Sequence, residues 1–286
     1  MENKDLIEKW LRRYLENEKK EAEEAKEKPV KEKKPKKIIL PQAPDFKTAS
    51  FLGDEFGKQI NEKIQAKYKS LGSINNVVYD NKDKLMRGST PFYVVAVNEI
   101  LQEEFPQFRT ATQADLEKII KSNALDLSGH YEDSALVLRA KQDPNGYLAE
   151  DLFKQFNNKG RVLKEDSAYV LPLWTLKLRK DTQSPDKLSF NITDLTINNY
   201  FEAPVLMKDS GSYINPSEMN ERTGLPTKVY NKSVSGNRRL WTMNAGLVRL
   251  CLDGDLGVGS YDGGLSGCGA DGRVVLVSGE ASAQKI

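Results

Sequence analysis

Apolar positions in the first half of the chain recur mostly at three- and four-residue steps, whereas in the second half they alternate or run together. The first pattern predicts helices and the second strands. Leu6, Ile7, Trp10, Leu11, Tyr14 and Leu15 share one stripe of a helix expected from about Lys4 to Ala25. Thr48 through Lys69 also follows helical steps. Thr90-Pro91 opens FYVVAVNEILQEEF with a capping residue and a proline at the first helical position, and Asp115 to Asn123 reads as a further helix entered through Thr112. Residues 38–130 are therefore expected to form a helical subdomain, and nothing in them has catalytic spacing.

After His130 the pattern changes. SALVLRAK, Ser134 to Lys141, predicts a strand, Asp143-Pro144-Asn145-Gly146 a turn, and Leu148 to Asn157 a helix. Tyr169 to Arg179 and Leu188 to Thr193 are rich in β-branched and aromatic residues and read as strands, with Ser184-Pro185-Asp186 as the hairpin or loop between them. Ser210 to Arg239 reads as a long polar loop, and RVVLVS, Arg273 to Ser278, as a buried strand that ends the fold. The expected class is α+β, with an N-terminal helical region.

Composition narrows the function. Lys plus Arg is 43 and Asp plus Glu is 41, so a net charge of +2 makes no global electrostatic case for nucleic acid or a membrane surface. The longest apolar run is too short for a membrane span, and MENKDLIEKW lacks the apolar core of a secretory signal. One histidine and two cysteines exclude a zinc site built from several Cys and His ligands, and no metal or cofactor is expected. Residues 1–37 hold 13 Lys or Arg and 10 Asp or Glu, a density that cannot fold on its own core. They read as a charged helical tail followed by a linker from Lys26 to Lys37. The apolar stripe reads either as that of a frayed, solvated helix packing weakly on the body of the protein or as one that a partner buries, which would make the tail the natural element for attachment or oligomerisation.

The segment from Gly246 to Gly279 is a compositional island. It holds ten of the 20 glycines and both cysteines, and no lysine occurs between Lys232 and Lys285. In LVRLCLDGDLGVGSYDGG, the residues Val248, Leu250, Leu252, Leu256 and Val258 fall on one parity and want a core. On the other parity lie Arg249, Cys251, Asp253, Asp255, Gly257 and Gly259, small or polar groups with little to contribute to strand packing. The genetic code accounts for this second set. Changing either or both adenines that begin an asparagine codon yields Asp, Ser, Gly, Tyr, Cys and Arg. Cys251, Asp253, Gly254, Asp255, Gly257 and Gly259 lie within that reach, and so do Tyr261, Asp262, Gly263, Gly264, Gly267, Cys268 and Gly269.

On these residues, with GNRRLWTMNAGLVRL before them and ADGRVVLVSGE after them, the segment resembles the variable region of the variable proteins of diversity-generating retroelements, closest to archaeal or archaeal-virus members. The resemblance implies a C-type lectin-like fold over residues 131–286, related to that of formylglycine-generating enzymes, with a variable region of about 246–272. It also implies a non-enzymatic protein that displays diversified side chains for receptor recognition, at a virion or cell surface, toward an unidentified protein or cell-surface ligand. Because such folds bring an early strand beside the final one, Ala135 to Arg139 is expected to pair with Val274 to Val277.

Rival chemistries fit less well. Counting Asp253 as the first ligand of a calcium loop puts glycine where the fifth ligand and the bidentate glutamate should stand, and no nine-residue repeat is sustained. Cys251 and Cys268 are seventeen residues apart, unlike the close copper-binding pair of formylglycine-generating enzymes, although such an enzyme or its remnant is the first alternative. A structural virion or surface protein built on the helical half is the second. A disulfide between the two cysteines stays open. His130, beside Tyr131, Glu132 and Asp133, reads as a surface or capping residue, Trp174 and Trp241 as core aromatics, and Arg238 and Arg239 as supports of the loop backbone.

Overall fold

The structure is a computed structural model that describes residues 41–279 except 44, 69, 70, 140–142, 165, 196–198, 208 and 209. The chain divides into Met1–Ile38 and Ile39–Ile286. The expected helix from Lys4 to Ala25 and the linker to Lys37 lie outside the described residues.

Ile39–Ile286 is a mixed α+β unit. Helices α1 (Asp54–Tyr68), α2 (Gly72–Asn75), α3 (Pro91–Glu104), α4 (Gln113–Ser122) and α5 (Gly146–Asn158) are interleaved with strands. The strands are β1 (Thr48–Phe51), β2 (Val78–Asp80), β3 (Leu85–Arg87), β4 (Phe108–Thr110), β5 (Tyr131–Leu138), β6 (Tyr169–Pro172), β7 (Leu176–Lys180) and β8 (Leu188–Ile192). There follow β9 (Phe201–Glu202), β10 (Ser210–Ile214), β11 (Arg238–Thr242), β12 (Leu247–Leu252), β13 (Val258–Ser260), β14 (Gly272–Arg273) and β15 (Val275–Ser278). No helix among the described residues is long and apolar enough to cross a membrane.

Local chemistry sets the starts of two helices as expected, whereas the helix expected from Thr48 through Lys69 begins only at Asp54, because Thr48–Phe51 is extended as strand β1. Thr90 accepts a hydrogen bond from the Tyr93 N–H with Pro91 in the first turn of α3. Thr112 and Asp115 form a reciprocal capping box at the start of α4, which ends on Asn123 in the left-handed region at φ 52°. Helix α5 and the hairpin of β7 and β8 also fall where the pattern put them. The expected strand from Tyr169 to Arg179 is interrupted by a 3-10 turn at Leu173–Thr175, and the polar stretch from Ser210 opens with β10.

Three expectations are corrected by strand pairing. Ala135 to Arg139 does not pair with Val274 to Val277: β5 lies antiparallel between β12 and β6, with Val248 opposite Val137 and Leu250 opposite Ala135. The final strand β15 sits instead between β1 and β4, with Phe51 opposite Val275 and Thr110 opposite Leu276. Residues 38–130 are therefore not a purely helical subdomain, because β1 and β4 are sheet partners of the chain's last strand. RVVLVS is two short strands, β14 beside β5 and β15 in the smaller sheet, with Val274 between them.

The large sheet runs β10-β11-β13-β12-β5-β6-β9, with β14 alongside β5. Both faces of its centre are covered. Leu136, Leu138 and Leu247 join the core formed with α1, α3 and α5, while Ala135, Val137, Val248, Leu250 and Val258 fill a second core on the opposite face. Leu252 joins a third, with α4 and β15. This double coverage explains why Ala135 to Leu138 are apolar at every position instead of alternating, and it anchors β12 and β13, which carry the candidate site.

Candidate functional site

Strand β12 and the strand after its turn, β13, meet antiparallel with Cys251 opposite Gly259. The turn is closed by Asp253 N–H to Gly257 O at 2.8 Å and by Asp255 Oδ1, which accepts from the Gly257 N–H at 2.9 Å. Chain continuing past β13 folds back over the end of β12, and the two enclose a cleft of about 230 Å³. Every residue lining it except Tyr131 and Asp271 belongs to the candidate set: Arg249, Cys251, Asp253, Gly254, Tyr261, Asp262, Gly267 and Gly269. Asp255, Gly257, Gly259, Gly263, Gly264 and Cys268 lie in the same segment without lining it.

The aliphatic parity behaves as expected. Val248, Leu250, Leu252 and Val258 are fully buried, Leu265 nearly so, and Leu256 is half-buried at the turn with φ 62°. The opposite parity is corrected. Arg249 and Cys251 are only 4% and 5% exposed, and Gly257 and Gly259 are buried, so these are floor and wall rather than an open display. The exposed positions are Asp255, Tyr261, Asp262, Gly264, Gly267 and Gly269.

Arg249 organises the floor. Its Nη1 lies 3.4 Å from Asp133 Oδ1 and its Nε 3.3 Å from Asp262 Oδ2, while Nη2 donates to the carbonyls of Gly264 and Gly267, the latter at 2.8 Å. One side chain therefore ties the loop after β13 to the middle of the sheet. Burial works against the guanidinium charge, but Asp133 and Asp262 outweigh it and hold Arg249 more firmly protonated than usual. Asp133 is fully buried and accepts from Ser89 Oγ at 2.8 Å; burial raises its carboxyl, with Arg249 and Ser89 opposing. Tyr131 completes the wall, donating to the Ser89 carbonyl at 2.8 Å and accepting from the Gly269 N–H at 2.9 Å.

Both cysteines are free thiols, so the open question of a disulfide closes against it. Burial pushes Cys251 well above the ordinary thiol value, and the Asp253 carboxylate beside its Sγ adds to this. Burial raises Cys268 as well. Neither has the electropositive setting that makes a thiolate nucleophile. Asp253 is in turn raised by burial and by its acidic neighbours. Among the described residues, no group of three or more His, Cys, Asp or Glu is placed to hold a metal ion.

Other sequence assignments divide. Arg238 is buried and pairs with Glu117 at 2.6 Å, a structural support as expected. Trp241 is no core aromatic: it is 37% exposed, lies under the Arg239 guanidinium at 5.4 Å and approaches Tyr261 with ring centroids 6.2 Å apart. The indole crosses Gly211 on β10, where a Cβ would stand 2.5 Å from Trp241 Cζ3, so a side chain there would displace it. Trp174 is half-buried, and His130 stacks edge-on against Phe51 at 5.4 Å. Tyr131, Asp133 and Ser89 were missed as site residues. Their available signal was the acidic pair Glu132-Asp133 at the head of an apolar strand, which demands a buried counter-charge, and Arg249 inside LVRLCL is the matching one.

Two expected results follow locally. A Cβ on Gly263 would stand 2.5 Å from Pro144 Cβ, whereas one on Gly254 meets nothing closer than 3.4 Å. Gly263→Ser should cost about 1–3 kcal/mol and Gly254→Ser almost nothing, read from urea midpoints. Glu132 is buried with Oε1 unpaired, and burial, with Asp133, raises its carboxyl well above 4.5 despite Arg273. The native state keeps a proton that the unfolded chain releases, so stability declines as pH rises from about 4.5 toward the folded value. Glu132→Gln should flatten that decline, measured by urea unfolding between roughly pH 5 and 8.

Comparison with protein-family models, curated proteins and solved structures finds no match to this chain.

Proposed function

We propose that the protein is a non-enzymatic binding protein whose C-terminal, C-type lectin-like half presents a diversified face, as in the variable proteins of diversity-generating retroelements. One observation carries the reading. Seven of the thirteen residues within reach of asparagine codons, Cys251, Asp253, Gly254, Tyr261, Asp262, Gly267 and Gly269, line one cleft with Arg249, while Val248, Leu250, Leu252 and Val258 between and beside them are buried in the sheet's cores. Positions such as the exposed Tyr261, and Gly254, where an added Cβ meets nothing closer than 3.4 Å, can then change at little cost to folding, surface substitutions being usually within about 0.5 kcal/mol. The ligand is a protein or cell-surface group met at a virion or cell surface, and residues 1–37 provide attachment. A formylglycine-generating activity would need its thiols poised as a reactive pair, and burial works against that at both.

The experiment is to sequence the gene from many individuals of one population and map substitutions by codon. Changes confined to adenine-derived positions between Gly246 and Gly272 are expected. A uniformly conserved segment, with Cys251 and Cys268 invariant, would overturn the reading.

A further inference from the structure

The charge of this segment is one-sided at its surface. From Leu240 to Gly279 the sequence holds no lysine or histidine, and its two arginines, Arg249 and Arg273, are each 4% exposed. Arg249 is engaged by Asp133 and Asp262, and Arg273 donates to the Ala270 and Gly272 carbonyls and lies 3.4 Å from Asp83. The carboxylates Asp255, Asp262 and Asp271 are exposed, and Asp253 is half-buried in the cleft wall. Beside them stand two exposed aromatic rings in contact: Trp241, and Tyr261, which is 48% exposed and lines the cleft. Exposed aromatic side chains at the edge of a polar cavity are the usual anchors of a protein interface, and their faces attract cations.

We infer that the cleft and its aromatic edge dock a protein segment that inserts a lysine or arginine side chain between Asp253, Asp262 and Asp271 and packs its neighbours on Tyr261 and Trp241. The inference rests on the binding-face reading above and names the partner's chemistry in this copy of the segment. Charge complementarity argues for it. Arg249 is buried and shared between Asp133 and Asp262, so the carboxylates of Asp253, Asp262 and Asp271 together have less than one cation among them from this segment, and an incoming ammonium or guanidinium supplies another. A long basic side chain also suits a cleft of about 230 Å³ with Tyr261 in its lining, because its methylene stem can pack along the ring while the charged head reaches the carboxylates. Arg239, exposed at the edge over Trp241, repels a second cation there and limits the site to one inserted group.

The probes are two fluorescently labelled heptapeptides, alternating glycine with lysine or glycine with glutamate, titrated against the full chain by anisotropy. The lysine peptide should bind at least about tenfold tighter at low salt, and the preference should shrink as salt rises. Asp271→Asn and Asp253→Asn should each weaken it several-fold, and Tyr261→Ala by about threefold; near-ultraviolet circular dichroism verifies folding, and the exposed Asp271 keeps the test decisive where Asp253 disturbs the wall. Equal binding of both peptides, or no loss in Asp271→Asn, would overturn the inference. Spermine binding tighter than the lysine peptide would also overturn it, since that would make the occupant a free polyamine. These outcomes are independent of the population test: a diversified segment without charge preference defeats only the inference, and an invariant segment that still selects the lysine peptide defeats only the diversification reading.

Discussion

Arg249→Met should lower stability by about 3–5 kcal/mol, because it leaves Asp133 ionisable, fully buried and without its cation. For a domain of this size that is a fall in Tm of roughly 10 °C. The loss is compound. Arg249 also holds the Gly264 and Gly267 carbonyls, so the loop after β13 loosens as well and the cleft loses its far wall. Pairing the change with Asp133→Leu removes the stranded carboxylate, and most of the stability should return while the loop ties stay lost. Thermal and urea unfolding of the two single variants and the double variant form the cycle that checks this. A double variant no more stable than Arg249→Met would mean that the buried ion pair is not the dominant contribution.

The second large effect belongs to the aliphatic scaffold. Leu250 is fully buried in the core it shares with Val137, Val248 and Val258, and Leu250→Ala should cost about 2–5 kcal/mol. Asp271→Ser, on the exposed edge of the same segment, should stay within about 0.5 kcal/mol. On the proposed reading, this contrast is what would let one set of side chains vary on a constant frame. Urea midpoints of the two variants measure it, and comparable losses at both positions would remove the distinction between frame and face.

Much of the fold was legible where its cause is local. The starts of α3 and α4 depend on Thr90 with Pro91 and on Thr112 with Asp115, hydrogen bonds closed within three residues. The hairpin of β7 and β8 and the helix after Asn145 were legible for the same reason. Strands β1 and β4 were not, because each is only three or four residues long and its partner, β15, lies far along the chain. The candidate site was half legible. The codon pattern and alternation picked out most of the cleft lining, but the burial of Arg249 depends on Asp133, more than a hundred residues earlier. Trp241 looked like a core residue because it is large and apolar, and its exposure follows from β11 pairing with β10, which sets the indole over Gly211 at the sheet's edge region.

By itself, the sequence determined the α+β class, the helix caps of α3 and α4, and the division of Val248, Leu250, Leu252 and Val258 from the residues between them. These follow from backbone hydrogen-bonding range and side-chain period, both of them local quantities. Tertiary structure alone decided that β15 joins β1 and β4, that β5 stands against β12, and that Arg249 and Cys251 form a floor rather than a display. Those outcomes depend on which distant strands exchange hydrogen bonds, and on a buried arginine being stable only where a buried carboxylate is brought within ion-pair distance.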